Sequence, residues 1–446
     1  MREPLVLGQV APPGFLAAIK GITWVYGASE RALRLVPFMS GLGALALFPV
    51  LARRFQPAWN AVFATGLFAV APTLIAHGAE LKPYTTDVLA AVALTLAALA
   101  LDERASTGRW IGAAILGVVA VWFSQGAVFV VAGIGAALAL LVLVERRVDV
   151  RLLVLLAAWA TSAGLAAASG LHRVPSEMHE YLYRFWAPSL PTWNLLAFIA
   201  VGAPLLWLRH RRTAVILLGP VAVTLAAAAL HLYPFEGRLI LFLAPAAILA
   251  IAEAAGWIKD GLERLGVPRL MAAGIPFLAL VVVVAHDPPV YRIEDTRPVI
   301  AELSRQRQPS DAIYLYYAGQ RSFHFYAPRA GLSSQGVVDG GCHRIDPRGY
   351  LRELDALRGK PRAWIYRTHV SDRLEERVLF DGYLSHLGGK RVETIRFPGA
   401  EATLWDLSRT DAPADAAETY PLPSGDPAFA RRFGCGDGPI GRAPWD

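Results

Sequence analysis

Ten apolar stretches, each close to the length of a bilayer-crossing helix, fill most of the first 286 residues. They run over 34–51, 58–76, 84–101, 110–123, 126–144, 152–170, 193–208, 213–232, 239–257 and 270–285. A helix needs about 20 apolar residues to cross a hydrocarbon core roughly 30 Å thick. The chain is 55% hydrophobic and only 18% charged over 446 residues, and its mean hydropathy is positive. Soluble domains of this size do not have that balance. The stretches are rich in Ala, Gly and Leu, which lets helices approach closely in lipid. The fold class expected is an α-helical polytopic membrane domain of about ten spans over 34–286, preceded by an interfacial segment, 1–33. A small soluble α/β domain, 287–410, and an irregular tail, 411–446, follow.

The formal net charge of +7 does not form one basic face, so a nucleic-acid partner is set aside. The basic residues sort by loop instead. Arg53, Arg54, Arg104, Arg109, Arg146, Arg147, Arg151, Arg209, Arg211, Arg212, Lys259, Arg264 and Arg269 fall after odd-numbered stretches. The alternate loops hold only Lys82, Arg173, Arg184 and Arg238. The positive-inside rule places the first set in the cytoplasm. One run, 110–144, is broken only at Ser124-Gln125-Gly126. As one helix it would be about 50 Å long, too long for the hydrocarbon core. Two spans with a tight outer turn fit, and they keep every later basic loop inside. The N-terminus, the loop at 77–87 and the C-terminal domain then lie on the non-cytosolic side of a cytoplasmic (inner) membrane.

That outer loop reads HGAELKPYTTD, from His77 to Asp87. Ionisable groups where hydrocarbon meets water are expensive to keep and mark functional sites. A snorkelling anchor would account for Lys82 alone. It does not suit Glu80 and Asp87, whose stems are short. A second outer loop, 171–191, carries His172, Glu177, His179, Glu180 and Arg184 among aromatic residues. Its spacing matches no metal-ligand pattern, and an interfacial helix is the preferred reading. A third, HLYPFEGRLILFLAP, holds His231, Glu236 and Arg238. The planar fork of Arg238 suits phosphate oxygens, and a phosphate pocket shared with Lys82 competes evenly with a simple anchor. The segment at 14–26, behind Pro12 and Pro13, reads as a short interfacial helix, with Ser29 as N-cap of the first span. Glu253 is taken to lie near a helix end, leaving no ionisable residue at the middle of a span. Ion-coupled carriers would place some there.

With those residues in view, the order AxPPGFL, SERALRLVPFxSG, HxAELKPYTTDVLAA, YPFEGRLILFLAP resembles bacterial glycosyltransferases related to protein O-mannosyltransferases and the lipid A aminoarabinose transferase. These belong to the GT-C class, and the likeness covers roughly residues 9–257. The resemblance implies an inverting transfer of a hexosyl or pentosyl group from a polyprenyl-phosphate sugar. The acceptor would be a lipid, glycan or protein on the outer face. An external-loop carboxylate would act as general base, with Glu80 and Asp87 as the catalytic candidates. Lys82 and Arg238 would bind the donor phosphate, and His77, Tyr84, Glu236 and His231 complete the candidate set. Asp87 matches a second acidic position of the pattern; it would orient Lys82 or the acceptor, or help hold a divalent ion if one is used. No metal ligand set is assigned. The family's main catalytic aspartate follows a first span that has no counterpart here, where only Glu3 precedes the matched segment. The expectation is a chain truncated at its N-terminus. A non-catalytic carrier of lipid-linked sugars, or an assembly partner on the same scaffold, is the alternative.

In the C-terminal domain, helices are expected over 298–308, 347–357 and 372–387. Strands are expected over 312–317, 363–367, 391–397 and 402–407, in an α/β layer arrangement. The only two cysteines, Cys342 and Cys435, are expected to form a disulfide in an oxidising compartment.

Overall fold

The computed structural model describes residues 11–101, 104–146, 149–169, 190–235, 237–286, 294–343, 346–369 and 374–422. The chain divides into two compact units, Val10–Val290 and a C-terminal one that begins at Tyr291.

Among the described residues of the first unit, the regular elements are all helices. A short helix, α1 (Pro13–Tyr26), precedes α2 (Glu30–Phe55), α3 (Ala58–Val70), α4 (Pro72–Gly78), α5 (Tyr84–Leu99), α6 (Thr107–Phe123) and α7 (Ala127–Glu145). Then come α8 (Val150–Ala168), α9 (Leu190–Arg209), α10 (Arg211–Ala229), α11 (Ala244–Arg264) and α12 (Arg269–His286). By length and composition five helical segments could cross a bilayer alone; a sixth is the bent pair α3–α4. Helices α5, α6 and parts of α9 and α12 are shorter and apolar. Together these segments occupy the ten expected stretches. Their outer faces are bare hydrocarbon: Leu143, Val144, Val154 and Leu208 are exposed, which is tolerable only in lipid. Ser29 caps α2 as expected, accepting from the backbone N–H of Ala32.

Three departures from expectation have local causes. The stretch 58–76 is not one helix but two, bent by 49° at Ala71–Pro72. Pro72 has no N–H to give, and it pushes Ala71 out of the helical region, to ψ 114°. The stretch 239–257 begins as a tight 3₁₀ segment, Gly237–Leu243, before α11 starts with proline in its first turn and runs on to Arg264. Glu253 is therefore mid-helix, not near an end. It is buried between Arg209, at 2.9 Å, and the amides of Gln56 and Asn60, at 3.4 and 3.2 Å.

Glycines set how closely the helices cross. A Cβ on Gly133 of α7 would lie 2.2 Å from the backbone of Pro220 on α10, and one on Gly202 of α9 would lie 1.7 Å from the carbonyl oxygen of Ala250 on α11. This is small-residue packing of the kind lipid-embedded helices use.

The C-terminal unit is a five-stranded sheet in the order β2-β1-β3-β5-β4. Its strands are β1 (Ala312–Leu315), β2 (Val337–Asp339), β3 (Ala363–Thr368), β4 (Lys390–Phe397) and β5 (Ala400–Asp406). β1 pairs parallel with β2 and β3, while β5 joins β3 and β4 antiparallel. Helices α13 (Thr296–Gln306) and α14 (Gln320–Tyr326) cover one face, with Val299, Ile300, Leu303 and Phe323 against Ile313, Trp364 and Leu404. Helices α15 (Arg348–Asp355), α16 (Leu374–His386) and α17 (Ala416–Thr419) cover the other, with Leu351, Phe380 and Tyr383 against Tyr314, Ile365 and Trp405. Strand β2 and helices α14 and α17 were not foreseen; α17 lies in the stretch expected to be an irregular tail, and Ala416 and Ala417 are buried in the core of this unit. Cys342 is held in a disulfide; Cys435 lies outside the described residues, as does the loop 171–189.

Candidate active site at one mouth of the helical unit

The motif HGAELKPYTTD folds as the last turn of α4, a tight turn and the first turn of α5. Pro83 opens α5, where a missing N–H costs nothing. The next four side chains then point to different neighbours. The Thr85 hydroxyl donates to the Pro37 carbonyl of α2 at 2.8 Å, and Thr86 meets Ser40 of α2 at 3.1 Å. Asp87 is 5% exposed and turns toward the α6–α7 turn, where the Ser124 hydroxyl and the backbone N–H groups of Gln125 and Gly126 face it. Its Oδ1 is buried and makes no hydrogen bond among the described residues. Tyr84 alone faces the cluster that the sequence singled out.

In that cluster, the Arg238 guanidinium stacks over the Tyr84 ring at 5.6 Å, an attraction strengthened where water is scarce. The His77 ring also meets Tyr84 edge-on, with centroids 5.0 Å apart. Nδ1 of His77 lies 3.0 Å from Oε2 of Glu80. That hydrogen bond is the main cause holding the Glu80 carboxyl below its usual range. Burial opposes it, and the charges of His77, Arg238 and Lys82 support it. Five sequence candidates are thus brought together: His77, Glu80, Lys82, Tyr84 and Arg238. Asp87 lies deeper, against the turn. His231 is exposed at the end of α10, with a left-handed φ of 56°. Glu236 lies outside the described residues.

Two further parts of the mouth were not singled out. Tyr233 donates to the Leu239 carbonyl at 2.9 Å, closing the loop that carries Arg238. It stacks on Phe129 at 4.4 Å and sits within electrostatic reach of Asp87 and Tyr84. The turn Ser124-Gln125-Gly126 packs on the other side: a Cβ on Gly126 would lie 2.6 Å from the Phe242 ring. Asp87 thus holds the turn, the turn holds Phe242, and Phe242 belongs to the 3₁₀ segment that bears Arg238. Helix α1 closes the same mouth, with Gly14 against Phe123 at the end of α6.

The opposite mouth is built from the other loops. Arg151 donates to the Ala105 carbonyl at 3.0 Å and stacks on Trp110 at 5.3 Å, and Arg212 pairs with Glu145 at 3.5 Å. Among the described residues no group of three or more His, Cys, Asp or Glu side chains is arranged to hold a metal ion.

No family model matches the sequence, and no curated protein matches it. Solved structures do. ArnT from Cupriavidus metallidurans bound to undecaprenyl phosphate is 14% identical, with a TM-score of 0.47 over 88% of this chain and 87% of that one. The same protein in the apo state gives 13% and 0.44 over the same shares. The Archaeoglobus fulgidus oligosaccharyltransferase in the apo form gives 11% and 0.48, over 91% of this chain and 67% of that one.

Proposed function

We propose that this protein transfers a sugar from a polyprenyl-phosphate donor to an acceptor hydroxyl on the outer face of the cytoplasmic membrane. The observation that carries the reading is the meeting of Arg238 and Lys82 around Glu80 and Tyr84 at one mouth of the helical unit. The motif resemblance supports it independently.

In this reading the acceptor oxygen attacks the anomeric carbon as the bond from that carbon to the phosphate oxygen breaks. The polyprenyl phosphate leaves with the bonding electrons. Lys82 and Arg238 hold the departing charge, which is electrostatic work suited to a site poor in water. The Tyr84 ring, 5.6 Å from the guanidinium, fixes the position of Arg238. The proton of the acceptor hydroxyl passes to Nε2 of His77, neutral before the step, whose Nδ1 is tied to Glu80. A carboxylate that orients an imidazole is a recurrent device for general bases. Glu80, kept ionised by its neighbours, serves better as that orienting charge than as the base itself. Asp87 is a positioning residue that anchors the α6–α7 turn.

Membranes containing the chain, given a labelled lipid-linked sugar, test this. Lys82→Ala and Arg238→Ala should each lower transfer by about 100-fold, the usual cost of removing one oxyanion-stabilising group. Transfer at the wild-type rate in both variants would overturn the assignment.

A further inference from the structure

The C-terminal unit carries a second basic site that the transfer reaction does not use. An open groove of about 480 Å³ runs between α16 and the edge strand β4, lined by Arg377, Val378, Asp381, Gly382, Ser385 and Arg391. Its volume falls within the range of small-molecule sites. One arginine stands on each wall, Arg377 on the helix and Arg391 on the strand.

Beneath the groove lies an ion network. Arg367 is almost wholly buried and pairs with Asp381 at 2.9 Å and with Glu401 at 2.6 Å. Glu401 has no exposed surface and also receives Arg377 at 3.4 Å and Arg396 at 2.9 Å. Asp381 receives Arg391 at 3.2 Å. Four guanidinium groups therefore face two carboxylates, a surplus of two positive charges. The Arg367–Glu401 pair ties β3 to β5, and the Arg367–Asp381 pair already fastens α16 to the sheet. Of the three further arginines, Arg377 and Arg391 reach the groove and Arg396 does not. Arg377 approaches Glu401 through Nε at 3.4 Å, and Arg391 donates from Nη1 to Asp381 at 3.2 Å with its guanidinium 5.9 Å over the Trp405 ring. Each keeps unused N–H donors, in a planar fork that matches phosphate oxygens. The Nε of buried Arg367 also makes no hydrogen bond among the described residues. Gly382 adds no side chain to the lining.

We propose that this groove binds a phosphate monoester with a sugar-sized group attached, Arg377 and Arg391 gripping the phosphate from opposite walls. The site is separate from Lys82 and Arg238 and does not depend on the transferase reading. The phosphate can come from a soluble sugar phosphate or from a lipid headgroup, and the test separates the two.

The full chain in neutral-lipid nanodiscs is titrated with glucose 1-phosphate, and in parallel assembled with phosphatidic acid, with ³¹P NMR as the readout. Binding should weaken by about tenfold for each arginine lost in Arg377→Gln and Arg391→Gln. It should weaken less in Arg391→Lys, which keeps the charge without the fork. Arg377→Gln takes one of three cations from buried Glu401 and should lower the melting temperature modestly, so binding is read below that transition; Arg391→Gln, in a more exposed pair, should leave it unchanged. Lys82→Ala with Arg238→Ala should leave this binding intact, while abolishing any binding at the membrane mouth. Binding of the soluble probe identifies a soluble source, and binding of phosphatidic acid alone identifies a lipid one. If neither probe binds, or if Arg377→Gln with Arg391→Gln binds as the wild type does, the groove is a structural staple and the proposal is wrong.

Discussion

At Gly126 a single hydrogen atom stands where any other residue would drive a methyl group into Phe242, 2.6 Å away. Gly126→Ala must move either the turn that Asp87 holds or the segment that bears Arg238. Overpacking of this kind costs about 1–3 kcal/mol, so the melting temperature should fall. If Arg238 moves, KM for the lipid donor should rise more than kcat falls. An unchanged KM would separate the turn from the site. Glu80 gives a pH signature. Its carboxyl titrates below its ordinary value in the folded chain. The stability it contributes is therefore full above the unfolded value and is lost as the pH falls through the lowered folded one. Thermal melts of wild type and Glu80→Gln should differ most at neutral pH and converge in acid; a gap that widens in acid would refute this sign. The residues of this mouth were half legible. His77, Glu80, Lys82 and Tyr84 stand out because charge interrupts hydrocarbon. Tyr233 reads like any interfacial aromatic, and the partner of Asp87 is a turn some 40 residues away in sequence.

At the scale of elements, hydropathy located the helices to within a few residues, because burial in lipid demands length and apolarity and little else. It could not locate the breaks. The Ala71–Pro72 bend was available from proline chemistry but was masked by an unbroken apolar run. The 3₁₀ start of the Gly237–Leu243 segment was masked in the same way. Strand β2 has three residues, two of them exposed, and so shows no alternation to read. The mid-helix Glu253 binds α9 to α11 and to the α2–α3 junction. Arg209→Ala leaves that carboxylate buried without its cation, which should cost about 3–5 kcal/mol. Adding Glu253→Gln should recover much of the loss in melting temperature. A double variant less stable than Arg209→Ala would show that the charge is not the problem.

For the whole molecule, the alternation of basic and acidic-aromatic loops in the sequence corresponds to two opposite mouths of the helical unit. His77, Glu80, Tyr84, Ser124 and Arg238 gather at one. Arg151, Arg212 and Glu145 lie at the other. The central claim is that the phosphate-holding groups share the mouth turned away from the cytosol. Single cysteines at Lys82, Arg238, Arg104 and Arg211, labelled with a membrane-impermeant maleimide, measure this directly, since Cys342 is already held in a disulfide. In right-side-out vesicles, Lys82→Cys and Arg238→Cys should label intact, and Arg104→Cys and Arg211→Cys only after lysis. Labelling of positions 82 and 238 from opposite sides, or of both only after lysis, would contradict the account.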